Sequence, residues 1–197
     1  ILTGVIAPGE RINECRLAKQ LGTSRGPLRE ACKRLESAGL LEASTNRGNY
    51  VRRIQVAEAM EHYEIRAELE ALAGRKACEN LTDEDRKRFN VLMEEMATAV
   101  DTNDVPAYFK ANLDFHDDIV RLSGNQSLIG VYKELTKKII LFRLGNLSKP
   151  KGLERSLSEH RAIRDALLAK DGERAAFLLR EHTLSARERL PRHETMT

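Results

Sequence analysis

The sequence has no tryptophan, few aromatic residues and only three cysteines among its 197 residues. Cys15, Cys32 and Cys78 lie far apart and form no C-x-x-C pair. This spacing argues against a disulfide framework or a thiolate zinc site, and it is typical of a protein from a reducing cytoplasm. No apolar run approaches the roughly 18 residues of a membrane-spanning helix, and no signal peptide is visible. We therefore expect a cytoplasmic protein that does not enter a membrane.

The charge is distributed unevenly along the chain. The net charge is +3, yet residues 1–53 contain ten Lys and Arg against five Asp and Glu. The remainder contains 33 − 10 = 23 basic and 30 − 5 = 25 acidic residues. The basic surplus thus lies wholly in the first 53 residues, where it suits a module that faces phosphate groups. At 41% apolar and 32% charged residues, the whole composition suits a soluble, helix-rich protein.

The segment from Gly22 to Val51 predicts a DNA-reading module. Ser24 is a favoured N-cap, Pro27 falls in the first turn, and Gly39 ends the helix. Apolar residues at helical spacing form one face, and basic residues spaced by four form the opposite face. The apolar residues are Leu28, Ala31, Leu35 and Ala38; the basic residues are Arg25, Arg29 and Lys33. A polar turn at residues 44–48 then predicts a short hairpin, which completes the layout of a winged helix-turn-helix.

A shorter helix precedes the basic helix. Asn13 can cap it, and residues 14–21 place Leu17, Ala18 and Leu21 on the inner face. The glycine-containing turn at residues 22–23 gives the spacing of a helix-turn-helix. Residues 1–4 have the pattern of the end of a helix, so we expect further residues before Ile1. The exit from the wing at residues 52–55 places the end of this domain at residue 54.

The rest of the chain predicts a bundle of six helices over residues 55–191, followed by a polar tail at 192–197. The predicted helices span residues 56–78, 83 to about 99, 105–122, 128 to about 144, 154–169 and 172–190. Thr82 with Asp85 predicts a capping box, and Asp104 and Ser127 are the predicted caps of the next two helices. The fold class is therefore mainly α. In such bundles, small-molecule sites usually lie between the helices.

Three histidines stand on the inner side of helices in the predicted bundle: His116, His160 and His182. Asn112 lies one turn before His116 and shares its face. Three imidazoles and one side-chain oxygen that converge would form a divalent-metal site with open positions for a ligand. The alternative is that each histidine simply packs at the edge of the core. A catalytic zinc site has little support, because the chain has no H-E-x-x-H motif and no evident general base.

Two arginines are candidates for contact with an anionic ligand. Arg66 lies in the charged segment 64–70, where it can instead form pairs along the helix surface. Arg143 ends an apolar helix, where a cation also interacts favourably with the helix dipole. If either side chain points into a pocket, it can pair with a carboxylate.

Several motifs resemble the GntR family of bacterial transcription regulators. The matching pieces are residues 8–12, Leu17-Ala18, Leu21-Gly22, the run SRGPLREACKRLESAGLL from Ser24, and Arg47-Gly48 in the wing. The second part is similar to the ligand-binding FCD domain of the FadR-type branch, in its shorter, VanR-like form of six helices. Its matching pieces are residues 64–70, 112–116, 123–125, 159–163 and 181–182. The resemblance covers essentially the whole chain.

The resemblance implies a homodimeric regulator that binds double-stranded operator DNA, responds to a small carboxylate effector and acts by default as a repressor. The DNA contacts it implies are Ser24, Arg25, Gly26, Arg29, Arg47 and Gly48. The divalent metal, Zn, Ni or Mn, is implied to bind at Asn112, His116, His160 and His182. Arg66 and Arg143 are the candidates for the effector.

Three residues depart from the family pattern. Gly26 stands where threonine is usual, which removes a possible DNA contact, and Cys15 stands where some relatives carry a basic residue. Asn112 is neutral where many relatives have Asp, so the metal should bind more weakly or depend more on the carboxylate of the effector. Two alternatives stay open: a bundle that senses a ligand without metal, and a metal-dependent enzyme domain fused to a DNA reader.

Overall fold

The structure is a computed structural model, and it describes residues 6–37, 39–44, 48–53, 55–147 and 151–190. Within these ranges, two short helices and a two-stranded hairpin precede six longer helices. In chain order the elements are α1 (Glu14–Gln20), α2 (Arg25–Ser37), β1 (Leu41–Ser44), β2 (Gly48–Val51), α3 (Val56–Asn80), α4 (Asp83–Asp101), α5 (Val105–Leu122), α6 (Gln126–Leu147), α7 (Gly152–Leu168) and α8 (Gly172–Glu188). This is the mainly α fold that the sequence predicted. No helix in the described ranges is both long and apolar enough to cross a bilayer.

Helices α1 and α2 pack against each other as a helix-turn-helix. The side chain of Asn13 accepts a hydrogen bond from the backbone N–H of Arg16 and so caps α1 as predicted. Gly22 adopts a φ of 61° in the turn, a conformation that favours glycine. The prediction that Leu21 faces inward was wrong, since Leu21 is 67% exposed. It lies at the C-cap of α1, beyond the last helical residue, and so leaves the face that contains buried Ala18.

The hairpin completes the N-terminal module. Strands β1 and β2 are antiparallel, with Leu41 opposite Val51 and Ser44 opposite Gly48. Leu41 and Val51 form a small core with Ile12 and Cys32. Residues 45–47, and with them the predicted DNA contact Arg47, lie outside the described residues, as does Ala38. The same is true of residues 1–5 and 191–197, on which the predicted helix end and tail fall.

Helix α3 lies at the centre of the C-terminal bundle, where it contacts α5, α6, α7 and α8. The predicted capping box at Thr82 and Asp85 is present at the start of α4. The prediction that Ser127 caps α6 was wrong: the helix begins at Gln126, two residues earlier than predicted, and the side chain of Asn125 accepts the backbone N–H of Leu128. The caps thus fix where α4 and α6 begin. The core between the helices contains Phe115, whose ring edge packs against the ring of His160.

Candidate metal centre and nucleic-acid interface

The structure brings together three histidines from three different helices. His116 lies on α5, His160 on α7 and His182 on α8, and all three are buried. One ring nitrogen from each lies within 4.8 Å of the others. Nε2 of His160 is 3.2 Å from Nε2 of His116, and the rings of His160 and His182 are 4.6 Å apart between centroids. The three side chains form what we call the histidine cluster.

The opposite ring nitrogens of two of these histidines face acceptors. Nδ1 of His160 lies 2.7 Å from the backbone oxygen of Ser156. Nδ1 of His182 lies 2.6 Å from Oε2 of Glu159. Carbonyl and carboxylate oxygens only accept hydrogen bonds, so both Nδ1 atoms must carry the proton. Each Nε2 atom then carries a lone pair instead of a proton, the form of imidazole that binds a metal.

Glu70 lies against the corresponding nitrogen of His116 at ion-pair distance, although the angle is not that of a hydrogen bond. Its Oε1 atom lies 3.0 Å from Nδ1 of His116 and accepts hydrogen bonds from Arg66 and from the hydroxyl of Tyr132 at 2.8 Å. Thr183 donates to the other oxygen. Burial alone would raise the pKa of Glu70, but the charge of Arg66 and the contact with His116 hold it well below its usual range. Glu70 is therefore a buried carboxylate that orients His116.

The residues present fit a divalent metal ion. Two nitrogens bound to tetrahedral zinc at about 2.0–2.1 Å lie roughly 3.3 Å apart, close to the 3.2 Å between the Nε2 atoms of His116 and His160. Two lone pairs facing each other at this distance repel unless a cation lies near them. Burial lowers the pKa of His116 to about 3, and burial and the neighbouring histidines lower that of His160 well below its usual range. Both rings are therefore neutral, as metal ligands must be.

Asn112 lies beside the histidine cluster, but its oxygen points elsewhere. Its Oδ1 atom accepts a hydrogen bond from Nη2 of Arg143 at 2.8 Å, and its Nδ2 atom lies 3.0 Å from Nε2 of His160. A guanidinium only donates, so the amide oxygen must face Arg143. The structure thus brings Asn112 to the predicted place with its nitrogen, and not its oxygen, toward the histidines.

A small cavity of about 30 Å³ adjoins the cluster. Its lining includes His182, Asn112, Ser156, Arg66, Arg143 and Arg189. Arg66 and Arg143 are almost fully buried, which excludes the prediction of helix-surface pairing for Arg66. Arg66 is neutralised by Glu70, with Nη2 at 2.7 Å from Oε1. Arg143 forms no ion pair within the described ranges, and its Nη1 atom has no hydrogen-bond partner there. Because burial and the charge of Arg66 lower the pKa of Arg143, an anion in this cavity would be favoured.

The predicted DNA contacts that lie within the described residues are on the surface of the N-terminal module. Ser24, Arg25, Gly26, Arg29 and Gly48 are all exposed. Arg25, Arg29 and Gly48 line a groove together with two arginines that the sequence analysis left out, Arg11 and Arg16. Arg29 is held by Glu14 of α1, with Nε 3.2 Å from Oε2. Four arginines on one solvent-facing groove are typical of a surface that contacts phosphates.

Comparison with known proteins identifies the family. Residues 1–51 match the family described as "Bacterial regulatory proteins, gntR family", and residues 61–185 match the FCD domain. The chain belongs to the GntR family of transcription regulators and carries an FCD domain. Its relatives are transcription regulators and not enzymes, so the enzyme alternative is set aside.

Three relatives show how far this similarity extends. The regulator is 33% identical to the uncharacterized HTH-type transcriptional regulator YdhC of Bacillus subtilis, over 94% of this chain and 81% of that protein. It is 34% identical to the probable D-xylose utilization operon transcriptional repressor of Paenarthrobacter nicotinovorans, over 92% of this chain and 80% of that protein. The solved structure of McbR/YncC from E. coli matches with a TM-score of 0.83 and 29% identity, covering 93% of this chain and 88% of that one.

Sequence reasoning missed the partners of the histidines in this regulator. Glu159 directly precedes His160, and Glu70 lies in the charged segment 64–70, yet neither was assigned a role. The available signal was an acidic residue near a candidate site residue: Glu159 next to His160, and Glu70 one turn after Arg66. The shorter contact of Ser156 with His160 is through its backbone oxygen, at 2.7 Å against 3.4 Å for its hydroxyl, and a side-chain pattern does not reveal a backbone contact.

Proposed function

We propose that this regulator controls transcription by binding a small organic acid next to a divalent metal ion in its helical domain. The observation that carries the proposal is the convergence of one ring nitrogen from each of three buried histidines beside a buried arginine that lacks an ion-pair partner in the described ranges. A metal and a cation on adjacent walls of one cavity suit a carboxylate. Among its relatives are named repressors, which favours repression as the basal activity.

His116, His160 and His182 would hold the metal. Imidazole ligands suit zinc and nickel better than manganese, which prefers oxygen donors. The bound ion would supply a positively charged attachment point for a carboxylate oxygen of the effector. Glu70, Glu159 and the backbone of Ser156 keep the three rings in the required tautomer, as outer partners of metal-binding histidines commonly do.

Arg143 and Arg66 would define the rest of the ligand site. Arg143 offers Nη1 to an anion, whereas Arg66 already donates two hydrogen bonds to Glu70. We therefore assign direct contact with the effector to Arg143, and a supporting role to Arg66 as the cation that fixes Glu70. This ranking refines the equal roles that the sequence suggested for the two arginines.

The N-terminal module, which we place at residues 1–54, would read the operator. Ser24, Arg25, Gly26, Arg29, Arg47 and Gly48 are the proposed contacts, with Arg11 and Arg16 of the same groove as additional phosphate contacts. Two copies of the chain, joined through the helical domains, would read half-sites about one helical turn apart. Because such a protein meets DNA, we place it in the cytoplasm.

Helix α6 contacts both the ligand cavity and the DNA-reading module. It carries Arg143 on the cavity wall, and one turn earlier it carries Ile140, which packs against the core of the DNA-reading module. Ile139 and Phe142 pack against the start of α3, including Val56. A ligand that repositions Arg143 therefore acts on α6, the helix that packs against the DNA-reading module. Only a difference in effector affinity between the DNA-bound and free states can shift their equilibrium.

An operator-release experiment tests the proposal. A duplex selected by the protein from random DNA would be bound by untagged, zinc-loaded protein and followed by fluorescence anisotropy. A panel of short mono-, di- and tricarboxylates should contain at least one that releases the DNA, and chelation of the metal should abolish its effect. Release that is unaffected by the chelator would favour a metal-independent sensor, and the absence of release by any acid would contradict the proposal.

A further inference from the structure

We propose that Arg143 withholds the side-chain oxygen of Asn112 from the histidine cluster, and that an anion which pairs with Arg143 sets this oxygen free. The inference rests on the proposed metal-binding function and adds to it a coupling between Arg143 and Asn112. Asn112 would be a conditional ligand, available to the metal only when Arg143 has another partner. Metal and anion would then strengthen each other's binding without touching the same protein atom.

The orientation of the Asn112 amide follows from its neighbours. Oδ1 lies 2.8 Å from Nη2 of Arg143, which can only donate. Nδ2 lies 3.0 Å from Nε2 of His160, which must accept because Nδ1 of this ring donates to the backbone oxygen of Ser156. Both ends of the amide are satisfied in this orientation alone. The whole arrangement is buried, where hydrogen bonds are stronger than at the surface.

Rotating the amide would create an unfavourable contact while Arg143 stays in place. The NH₂ group of Asn112 would then face the N–H groups of the guanidinium at hydrogen-bond distance. A buried donor without an acceptor is unfavourable, and more so beside a charge. The oxygen of Asn112 therefore cannot serve the metal while Arg143 holds its present position.

Arg143 is free to change partners in a way that its neighbour Arg66 is not. Arg66 is fixed by two hydrogen bonds to Glu70, whereas Arg143 has one described hydrogen bond, to Asn112, and a buried Nη1 without a partner in the described ranges. The adjoining cavity of about 30 Å³ holds about two waters, too few to match an organic acid. An incoming carboxylate must therefore displace a side chain of the lining. Arg143 is the best candidate, because it has one described hydrogen bond and its guanidinium can pair with the carboxylate.

A double-mutant cycle with zinc alone tests the inference. Arg143→Met replaces the guanidinium with an apolar chain of similar length, and Asn112→Ala removes the amide. The dissociation constant for Zn²⁺ would be measured by chelator competition for wild type, both single variants and the double variant. Circular dichroism would check folding, with Arg143→Gln as the second substitution if Arg143→Met unfolds the domain.

Arg143→Met should tighten zinc binding about tenfold in the wild-type background, the equivalent of one charged hydrogen bond. In the Asn112→Ala background, Arg143→Met should change the zinc affinity less than twofold. An equal gain in zinc affinity in both backgrounds would mean that Arg143 acts only through its charge, and it would overturn the inference. No gain in zinc affinity in either background would also overturn it. If wild-type protein binds no zinc, the proposed metal centre is contradicted as well. If wild-type protein binds zinc but the effects of the Arg143 and Asn112 substitutions are independent, only this inference is contradicted.

Discussion

Nδ1 of His182 lies 2.6 Å from Oε2 of Glu159, although the two residues belong to different helices, α8 and α7. Burial would raise the pKa of Glu159, but the hydrogen bond from His182, together with Arg155 and Arg189, lowers it to about 2. The carboxylate is thus ionised at neutral pH. It holds the imidazole of His182 next to the rings of the other two histidines.

The first prediction concerns this outer carboxylate. Glu159→Gln should weaken zinc binding about 10- to 100-fold, because an amide no longer fixes the tautomer and orientation of His182. The measurement is chelator competition with untagged protein. Glu181→Gln, an exposed carboxylate on the same helix as His182, is the matched control and should leave the affinity unchanged. Equal affinities for wild type and Glu159→Gln would remove Glu159 from the centre.

The second prediction concerns stability. Glu70→Gln should lower the free energy of unfolding by about 3–5 kcal/mol, because it leaves the buried cation Arg66 without a counter-charge. Urea denaturation of metal-free protein measures the change. The control is Glu68→Gln, which removes an exposed partner of Arg180 and should change stability by less than about 1 kcal/mol. Similar effects of both substitutions would contradict the assignment of Glu70 as the buried anion.

The third prediction concerns pH. His116 and His160 have lowered pKa values in the folded protein, whereas the unfolded chain titrates near the usual 6.5. Below about pH 6.5 the unfolded state therefore binds more protons than the folded state, and the free energy of unfolding falls as the pH decreases. Between pH 7.5 and 5.5 the loss should be about 1 kcal/mol per histidine in metal-free protein. The lowered pKa of Glu159 adds a loss only below about pH 4.5.

Denaturant midpoints at several pH values test this prediction. His160→Gln should flatten the pH dependence, since the glutamine does not titrate. A midpoint that is constant from pH 7.5 to 5.5 in wild type would show that neither histidine is held neutral in the folded protein.

The fourth prediction concerns DNA. Arg29→Ala should weaken operator binding by about 1–3 kcal/mol if the side chain reads a base, and the affinity of wild type should fall steeply with salt. Arg174→Ala, an arginine on the helical domain, is the control and should bind like wild type. A salt-independent affinity would speak against the whole arginine-lined groove as the DNA surface.

Much of this architecture was predictable because it depends on local patterns. The capping box at Thr82 and Asp85 and the Asn13 cap involve residues three apart, so the chain reveals them directly. Helical spacing also placed His116 and Asn112 on one face. The wrong placement of Leu21 shows the limit of such reasoning, since the helix ends one residue before it.

The partners inside the site were not predictable in the same way. Arg143 and Asn112 are 31 residues apart, and His182 and Glu159 are 23 apart. Such contacts depend on how α5 to α8 pack, which helical periodicity does not determine. The orientation of the Asn112 amide depends further on which of its neighbours can only donate a hydrogen bond.

The central claim is that the histidine cluster is a divalent-metal centre, and metal stoichiometry tests it most directly. Protein purified without a histidine tag would be incubated with zinc, nickel or manganese, desalted and measured by native mass spectrometry and elemental analysis. We predict one tightly bound ion per chain for zinc or nickel, lost in His160→Ala. Wild-type protein that retains none of the three metals would contradict the account.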